Sequence, residues 1–316
     1  MRLRAESSPA CALPGHTPVD EGESGEAVSR FFERARWATE DRSSPHADWN
    51  SGTRRFRVLT VTNNKGGIGK TMIASNLAVY IRAMREDLPI LVIGLDDQNT
   101  LDRMFRFGES EPVLTFAHGV RNGDFRDVLR EGQYGVHYVP SCFDIGEPKK
   151  RLESPFELQR MLDRTGRRGL VILDTKSDFE ILTQNALAAS DLTLVVVKDQ
   201  ASLIQAERVF RQLKDWGRRP EAARVLISMV DRRIKYTEAG KPDVLAHLIS
   251  EIRRRDHPLL ESFISHSPKI ASLEIGADER ILPVLAGAPN SLVHRQLHLV
   301  AHDVLKLLDE AGLSPG

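Results

Sequence analysis

Short apolar segments alternate with amphipathic segments over most of the chain from about residue 55 onward. Almost continuously apolar runs, bounded by polar residues or glycine, predict buried β-strands. These runs cover residues 56–62, 90–95, 136–140, 170–173, 192–197 and 225–230. Helical spacing lies between most of them, as in residues 69–84, where Ile73, Leu77 and Ile81 share one face. The pattern predicts an α/β fold with a mostly parallel, doubly wound sheet covered by helices on both faces.

The first 52 residues lack this alternation. Residues 1–24 are rich in Pro, Gly, Ser, Glu and Ala, and we expect them to be disordered. Residues 25–40 carry Phe31, Phe32 and Trp37 at a spacing that predicts a short helix, and residues 41–52 resemble a linker. We therefore predict an N-terminal extension over residues 1–52 and a single α/β domain over residues 53–316.

Composition excludes several classes of protein. The chain has 316 residues with 44 Lys and Arg against 44 Asp and Glu, so a globally basic nucleic-acid binder is not indicated, although local basic patches remain possible. The two cysteines, Cys11 and Cys142, lack disulfide or metal-site spacing. The apolar runs are far shorter than the roughly 20 residues of a membrane-spanning helix. These features predict a cytoplasmic protein without stable membrane insertion.

The first predicted strand leads into a glycine-rich loop and then into a helix. Glycines let backbone N–H groups approach phosphate oxygens, and the helix N-terminus adds partial positive charge. In this context the loop is a P-loop, which predicts ATP and Mg²⁺ as cofactors. Lys70 would reach the β- and γ-phosphates, and the hydroxyl of Thr71 would bind Mg²⁺. The predicted nucleotide-binding residues are Lys65, Gly66, Gly67, Ile68, Gly69, Lys70, Thr71 and Met72.

The loop resembles the deviant Walker A motif of the ParA/MinD family, K-G-G-x-G-K-T. The resemblance implies that Lys65 reaches across a nucleotide-sandwich homodimer to the partner's phosphates, a role similar to that of an arginine finger. Met72 departs from the Thr or Ser that the family mostly carries there. The segment around residues 183–191 also resembles the family's T-x-N-A-L-x-A-S-D stretch, and the likeness covers roughly residues 55–308.

Two predicted strands end in carboxylates that the resemblance assigns to chemistry. Asp96 matches the residue of the family segment D-x-D-P-Q that orients or activates the attacking water. Gly94 replaces the first Asp of that segment, and Asp97 replaces its Pro. The predicted catalytic residues are therefore Lys65, Lys70 and Asp96.

Asp174 follows the apolar run 170–173 in the manner of a Walker B motif. We expect it to hold Mg²⁺ through water, opposite Thr71. The family usually continues D-x-P-P after this strand, whereas this chain reads Asp174-Thr175-Lys176-Ser177. These differences fall in the switch II region, so hydrolysis or coupling to a partner can differ from the family pattern.

Basic and histidine-rich segments raise two further possibilities. Arg232, Arg233 and Lys269 are candidates for non-specific DNA contacts, because the family binds DNA as an ATP-bound dimer and residues 264–273 loosely resemble its DNA-contacting stretch. His294, His298 and His302 follow one another at four-residue spacing, as a metal-binding stripe would. The apolar seam beside them favours a plain surface stripe.

The resemblance implies a ParA-like ATPase that positions a plasmid, chromosome or other cargo. It would dimerise on ATP, associate with the nucleoid and hydrolyse ATP slowly until a ParB-like or other adaptor stimulates it. One alternative is a MinD-like spatial regulator or a flagellar-number regulator at the membrane, although the C-terminus lacks a basic amphipathic tail. The other is an ATP-gated binding protein with little turnover, which the altered residues at Asp97 and after Asp174 keep open.

Overall fold

An eight-stranded sheet forms the centre of the protein. The computed structural model describes residues 56–108, 114–231, 244–274 and 280–313. The strands are β1 Phe56–Thr62, β2 Ile90–Leu95, β3 Arg130–Glu131, β4 His137–Val139, β5 Gly169–Thr175, β6 Leu192–Val197, β7 Ala223–Val230 and β8 Leu259–Ser265. Their order is β3-β4-β2-β5-β1-β6-β7-β8, and only the β3–β4 pair among these neighbours is antiparallel. The predicted mostly parallel α/β fold is confirmed.

Helices connect the strands and cover the sheet. They are α1 Lys70–Met84, α2 Thr100–Phe105, α3 Phe116–Asn122, α4 Gly146–Arg151, α5 Glu157–Arg164, α6 Ile181–Ala189, α7 Gln200–Asp215, α8 Val244–Arg254, α9 Pro268–Glu274, α10 Val284–Gly287 and α11 Leu292–Leu313. Two short 3₁₀ turns, Gln133–Gly135 and Pro220–Ala222, complete the described elements.

Alternate residues of the central strands enter cores on opposite faces of the sheet. Leu59 and Val61 of β1 belong to the core that α1 and α11 cover. Val58 of the same strand belongs to the opposite core, which α3, α5 and α6 cover, and α7 and α8 extend that layer beyond β6. Strands buried on both faces need apolar residues at nearly every position, which explains the continuous apolar runs in the sequence.

The six predicted strands agree with the observed ones to within two residues at either end, but β3 and β8 were not predicted. Strand β8 is interrupted by polar residues, and one of them, Ser262, is buried and hydrogen-bonds to Asp303 of α11. A buried polar pair of this kind hides a strand from a hydrophobicity pattern. The predicted extension over residues 1–52 and its short helix lie outside the described residues, so the domain boundary stays a prediction.

The order of the strands determines where the functional residues meet. Strand β5 lies between β1 and β2, although it follows both in the sequence. The chain therefore changes winding direction beside β1, and parallel sheets bind ligands at the carboxyl ends of strands at such points. The carboxyl ends of β1, β2 and β5 carry the glycine-rich loop, Asp96 and Asp174.

Candidate nucleotide-binding site

The backbone of the glycine-rich loop requires glycine at two positions. Gly67 and Gly69 have positive φ angles of 68° and 86°, a region in which residues with a Cβ are strained. Asn63 fixes the start of the loop, because its buried amide donates to the carbonyl oxygens of Val196 at 2.7 Å and Ser202 at 3.0 Å. Its Oδ1 accepts the backbone N–H of Lys65 at 3.0 Å. The loop is thus anchored to β6 and α7 before helix α1 begins.

Lys70 is the buried cation of the site. Its Nζ donates to the carbonyl oxygen of Lys65 at 3.0 Å and to the hydroxyl of Ser177 at 2.6 Å. Burial lowers the pKa of Lys70, while the nearby carboxylates of Asp174, Asp96 and Asp178 act in the opposite direction. An ammonium group held inside the loop by two neutral oxygens can exchange them for phosphate oxygens, which bind it more strongly.

Asp174 and Thr71 face each other across neighbouring strands. Asp174 is 1% exposed at the end of β5 and pairs in register with Val61 of β1. The hydroxyl of Thr71 is near enough to lower the pKa of Asp174, and Oδ1 of Asp174 accepts no hydrogen bond from any residue in the described part of the chain. Burial raises the pKa of Asp174 to about 7. A free carboxylate oxygen beside a hydroxyl fits hydrated Mg²⁺, which takes few protein ligands and keeps several waters.

Asp96 lies just beyond the end of β2, on the same edge of the sheet. Strands β2 and β5 pair Gly94 with Asp174, so Asp96 lies two residues beyond the register partner of the Mg²⁺-binding candidate. Its Oδ1 is buried and has no hydrogen-bond partner among the described residues. Burial, and next a hydrogen bond to Asp97, raise the pKa of Asp96. A carboxylate with a free oxygen at this edge can accept a hydrogen bond from water.

Lys65 forms an ion pair within its own chain. Its Nζ lies 2.7 Å from Oδ2 of Asp199, and both side chains are partly exposed. Asp199 precedes α7 and caps it, because its carboxylate accepts the backbone N–H of Ser202 at 2.8 Å. Sequence reasoning missed Asp199, although the pattern Asp199-x-x-Ser202 shortly after the apolar run 192–197 is a recognisable helix cap.

Switch II residues, which the sequence marked only as departures from the family pattern, contact the rest of the site. Ser177 contacts Lys70 as described above, and Nζ of Lys176 lies 2.8 Å from Oδ2 of Asp97. These contacts join chain segments about 80 to 110 residues apart, since the pairs are separated by 79 and 107 positions. A local sequence pattern contains no signal for such pairs.

The structure brings Lys65, Lys70, Thr71, Asp96 and Asp174 together, and of the DNA-binding candidates it describes Lys269. Lys269 is exposed on α9, which follows the carboxyl end of the edge strand β8. Because β8 runs parallel to its neighbours, this end lies on the same side of the sheet as the glycine-rich loop. Arg232 and Arg233 lie outside the described residues. The assigned roles of all these residues stay predictions.

The histidine stripe on α11 has a structural contact. Nδ1 of His294 lies 2.7 Å from the hydroxyl of Tyr80 on α1. In the described ranges, no group of three or more His, Cys, Asp or Glu residues is arranged to hold a metal ion. Cys142 is a buried free thiol whose pKa burial raises to about 11.

The fold and the loop define a P-loop nucleotide-binding protein. A family model described as an AAA domain matches residues 56–216. The chain belongs to the ParA/MinD family of ATPases, as the resemblance implied. The chromosome partitioning protein ParA of Caulobacter vibrioides is 26% identical over 207 residues, which cover 61% of this chain and 76% of that protein.

Solved structures share the fold at low sequence identity. MinD of Pyrococcus horikoshii, complexed with Mg-ADP, superposes with a TM-score of 0.61 at 19% identity, covering 79% of this chain and 96% of that one. Cobyrinic acid a,c-diamide synthase of Mycobacterium smegmatis, with an ATP analogue and magnesium, gives 0.57 at 19% identity over 67% of this chain and 88% of that one. These bound molecules agree with the predicted cofactors ATP and Mg²⁺.

Among the helices that the structure describes, none combines the length and apolar character needed to cross a membrane.

Proposed function

We propose that this chain is a partition-type ATPase that binds ATP and Mg²⁺ through residues 64–71. It closes into a homodimer around ATP, binds DNA non-specifically as that dimer, and hydrolyses ATP when an adaptor stimulates it. The cycle positions a plasmid, chromosome or other large cargo. The single observation that supports the proposal is the convergence of two loop lysines and two carboxylates at the ends of β1, β2 and β5.

The residues of the site divide the work of hydrolysis. Thr71 and Asp174 hold Mg²⁺, which when bound offsets phosphate charge. Lys70 exchanges its hydrogen bonds to Ser177 and to the Lys65 carbonyl oxygen for contacts with the β- and γ-phosphates. Asp96 accepts a hydrogen bond from the attacking water and orients it toward the γ-phosphate. Most of the catalysis is therefore positioning and charge stabilisation.

Lys65 connects nucleotide binding with association. In the single chain it is paired with Asp199, and both side chains are about a third or more exposed, at 34% and 42%. A pair with this exposure contributes only about 0.5 kcal/mol. A charge-assisted bond to a partner's phosphate in a closed interface is stronger. The balance therefore favours release of Lys65 from Asp199 when two ATP-bound chains meet.

We assign DNA binding to the basic residues Lys269, Arg232 and Arg233. Lys269 is exposed on α9, and Arg232 and Arg233 follow the described end of β7 in the sequence. Contacts of this kind act on phosphates, so they are independent of base sequence and weaken steeply with salt.

The test measures ATP turnover and binding to random-sequence DNA in one preparation, with ATP or ADP and with the product of the neighbouring gene as a candidate adaptor. We expect DNA binding with ATP only, a steep loss with added salt, and faster turnover with adaptor and DNA. Absence of ATP-dependent DNA binding at low salt would contradict the proposal. Co-sedimentation with liposomes instead of DNA binding would favour the membrane regulator.

A second candidate is an ATP-gated binding protein with little turnover. The observation that favours it is the replacement of the usual switch II residues by Lys176 and Ser177, with Ser177 hydrogen-bonded to Lys70. Tight ATP binding without hydrolysis, even when adaptor and DNA are present, would support this candidate over an active ATPase.

A further inference from the structure

Two departures from the family pattern meet in space. Asp97 stands where the segment D-x-D-P-Q has its proline, and Lys176 stands where D-x-P-P has its first proline. The ammonium group of Lys176 lies 2.8 Å from a carboxylate oxygen of Asp97. The residues that replace two prolines, 79 positions apart in the chain, thus form one ion pair.

The pair joins the ends of two neighbouring strands. Leu95 of β2 pairs in register with Thr175 of β5, so each member of the ion pair follows its strand within two residues. The Asp97 carboxylate also accepts a hydrogen bond from Nε2 of Gln98 at 2.8 Å. Asp97 directly follows Asp96 in the chain. Asp97 and Lys176 both lie close enough to Asp96 to act on its carboxyl group electrostatically.

The same bridge connects to the phosphate loop on its other side. Ser177, the residue after Lys176, accepts a hydrogen bond from Lys70 at 2.6 Å. A Cβ built on Gly66 would lie 3.6 Å from the Ser177 hydroxyl, so the switch II chain runs directly beside the loop. A displacement of Lys176 would consequently change the positions of both Asp96 and the P-loop.

Prolines and an ion pair can restrict the same backbone by different means. Proline fixes its own φ angle near −65° and drives the preceding residue toward an extended conformation. A proline after Asp96 would thus hold Asp96 directly. With Asp97 and Lys176 in place of the prolines, the backbone restriction is absent at both strand ends. The ion pair between the two side chains holds these ends together instead.

We propose that the Asp97–Lys176 bridge is a positioning pair for hydrolysis, which holds the end of β2 against the end of β5 and thereby places Asp96. The inference rests on the proposed ATPase function, since it assigns these two residues to the geometry of that reaction. Neither residue is assigned a contact with the nucleotide; both act through Asp96.

The test compares Lys176→Met, Lys176→Arg and the double variant Asp97→Pro/Lys176→Pro with the wild-type chain. One measurement is kcat at saturating ATP together with the affinity for a fluorescent ATP analogue. We expect Lys176→Met to lower kcat about tenfold, as a small misplacement of a catalytic group does, with affinity changed less than about twofold. Lys176→Arg and the double proline variant should recover most of the rate, because each restores one of the two restraints.

The second measurement is hydrogen–deuterium exchange of the nucleotide-free protein, which does not depend on turnover. Lys176→Met should speed exchange in peptides that cover residues 96–99, and Lys176→Arg should not. Lys214→Met, which changes an exposed lysine at the far end of α7, is the matched control and should leave both measurements unchanged.

Three outcomes would overturn the inference: a kcat within about twofold of wild type in Lys176→Met, a loss of affinity as large as the loss of kcat, or unchanged exchange at residues 96–99. If the wild-type chain itself does not hydrolyse ATP, the proposed function fails, and the exchange measurement still decides whether the bridge holds the two strand ends together.

Discussion

Replacing Asp174 with asparagine is expected to stabilise the nucleotide-free protein at high pH. Burial raises the pKa of this carboxyl group to about 7, against 3.8 for an ordinary aspartate, so the group keeps its proton to a higher pH. The folded state therefore binds more protons than the unfolded chain between these values, and wild-type stability falls as pH rises through that window. Asparagine has a similar shape and carries no charge at any of these pH values, so the variant lacks this loss.

The size of the effect follows from the same shift. Each pKa unit corresponds to about 1.4 kcal/mol, so a rise of about three units gives at most about 4 kcal/mol once the pH exceeds about 7. At about pH 4.5 the penalty is only about 1 kcal/mol, because this pH lies less than one unit above the pKa of the unfolded chain. The stability advantage of Asp174→Asn over wild type should thus grow by up to about 3 kcal/mol between about pH 4.5 and pH 8.

Urea unfolding of both proteins at the two pH values, with a chelator present, measures this growth. Asp215→Asn changes an exposed aspartate at the end of α7 and is the control, which should show no comparable growth. At about pH 8, ATP with Mg²⁺ should stabilise wild type much more than Asp174→Asn, because ligand stabilisation follows affinity. An advantage that stays constant with pH would refute the reasoning that burial raises this pKa.

Four further variants test the assigned roles. Lys65→Ala should keep ATP affinity within about threefold but lose ATP-dependent dimerisation in light scattering, because the trans contact is gone; a normal dimer would contradict the role of Lys65. Asp199→Asn should shift dimerisation to lower ATP concentration by a factor of about two, the equivalent of a weak exposed pair; a shift to higher concentration would count against cis pairing. Asp96→Ala should bind ATP normally and accumulate as the ATP-bound dimer, and ordinary turnover would refute its assignment. Lys269→Glu should weaken DNA binding several-fold and lower its salt dependence while leaving ATP affinity unchanged; unaltered DNA affinity would remove Lys269 from the DNA surface.

The strands of the central sheet were predictable because burial on both faces requires an apolar residue at nearly every position. Strands β1, β2 and β6 were predicted with their observed bounds for that reason. Strand β8 was not predicted because it buries the polar residue Ser262. The hydroxyl of Ser262 hydrogen-bonds to Asp303, 41 positions away in the chain. Two-residue strand β3 is too short to carry a period at all.

The site shows the same division between local and distant signals. The loop from Lys65 to Thr71 is a continuous motif, so its place between β1 and α1 could be derived from the sequence. The contacts of Lys65 with Asp199 and of Asp97 with Lys176 depend on which strands become neighbours. Strand β5 is inserted between β1 and β2, and no local pattern states that order.

ATP-dependent association tests the central claim most directly. Sedimentation velocity of the wild-type chain should give a monomer with ADP and a dimer with ATP and Mg²⁺, whereas Lys70→Ala should remain monomeric with either nucleotide. A wild-type mass that does not respond to ATP, or a Lys70→Ala variant that dimerises with ATP as wild type does, would contradict the account.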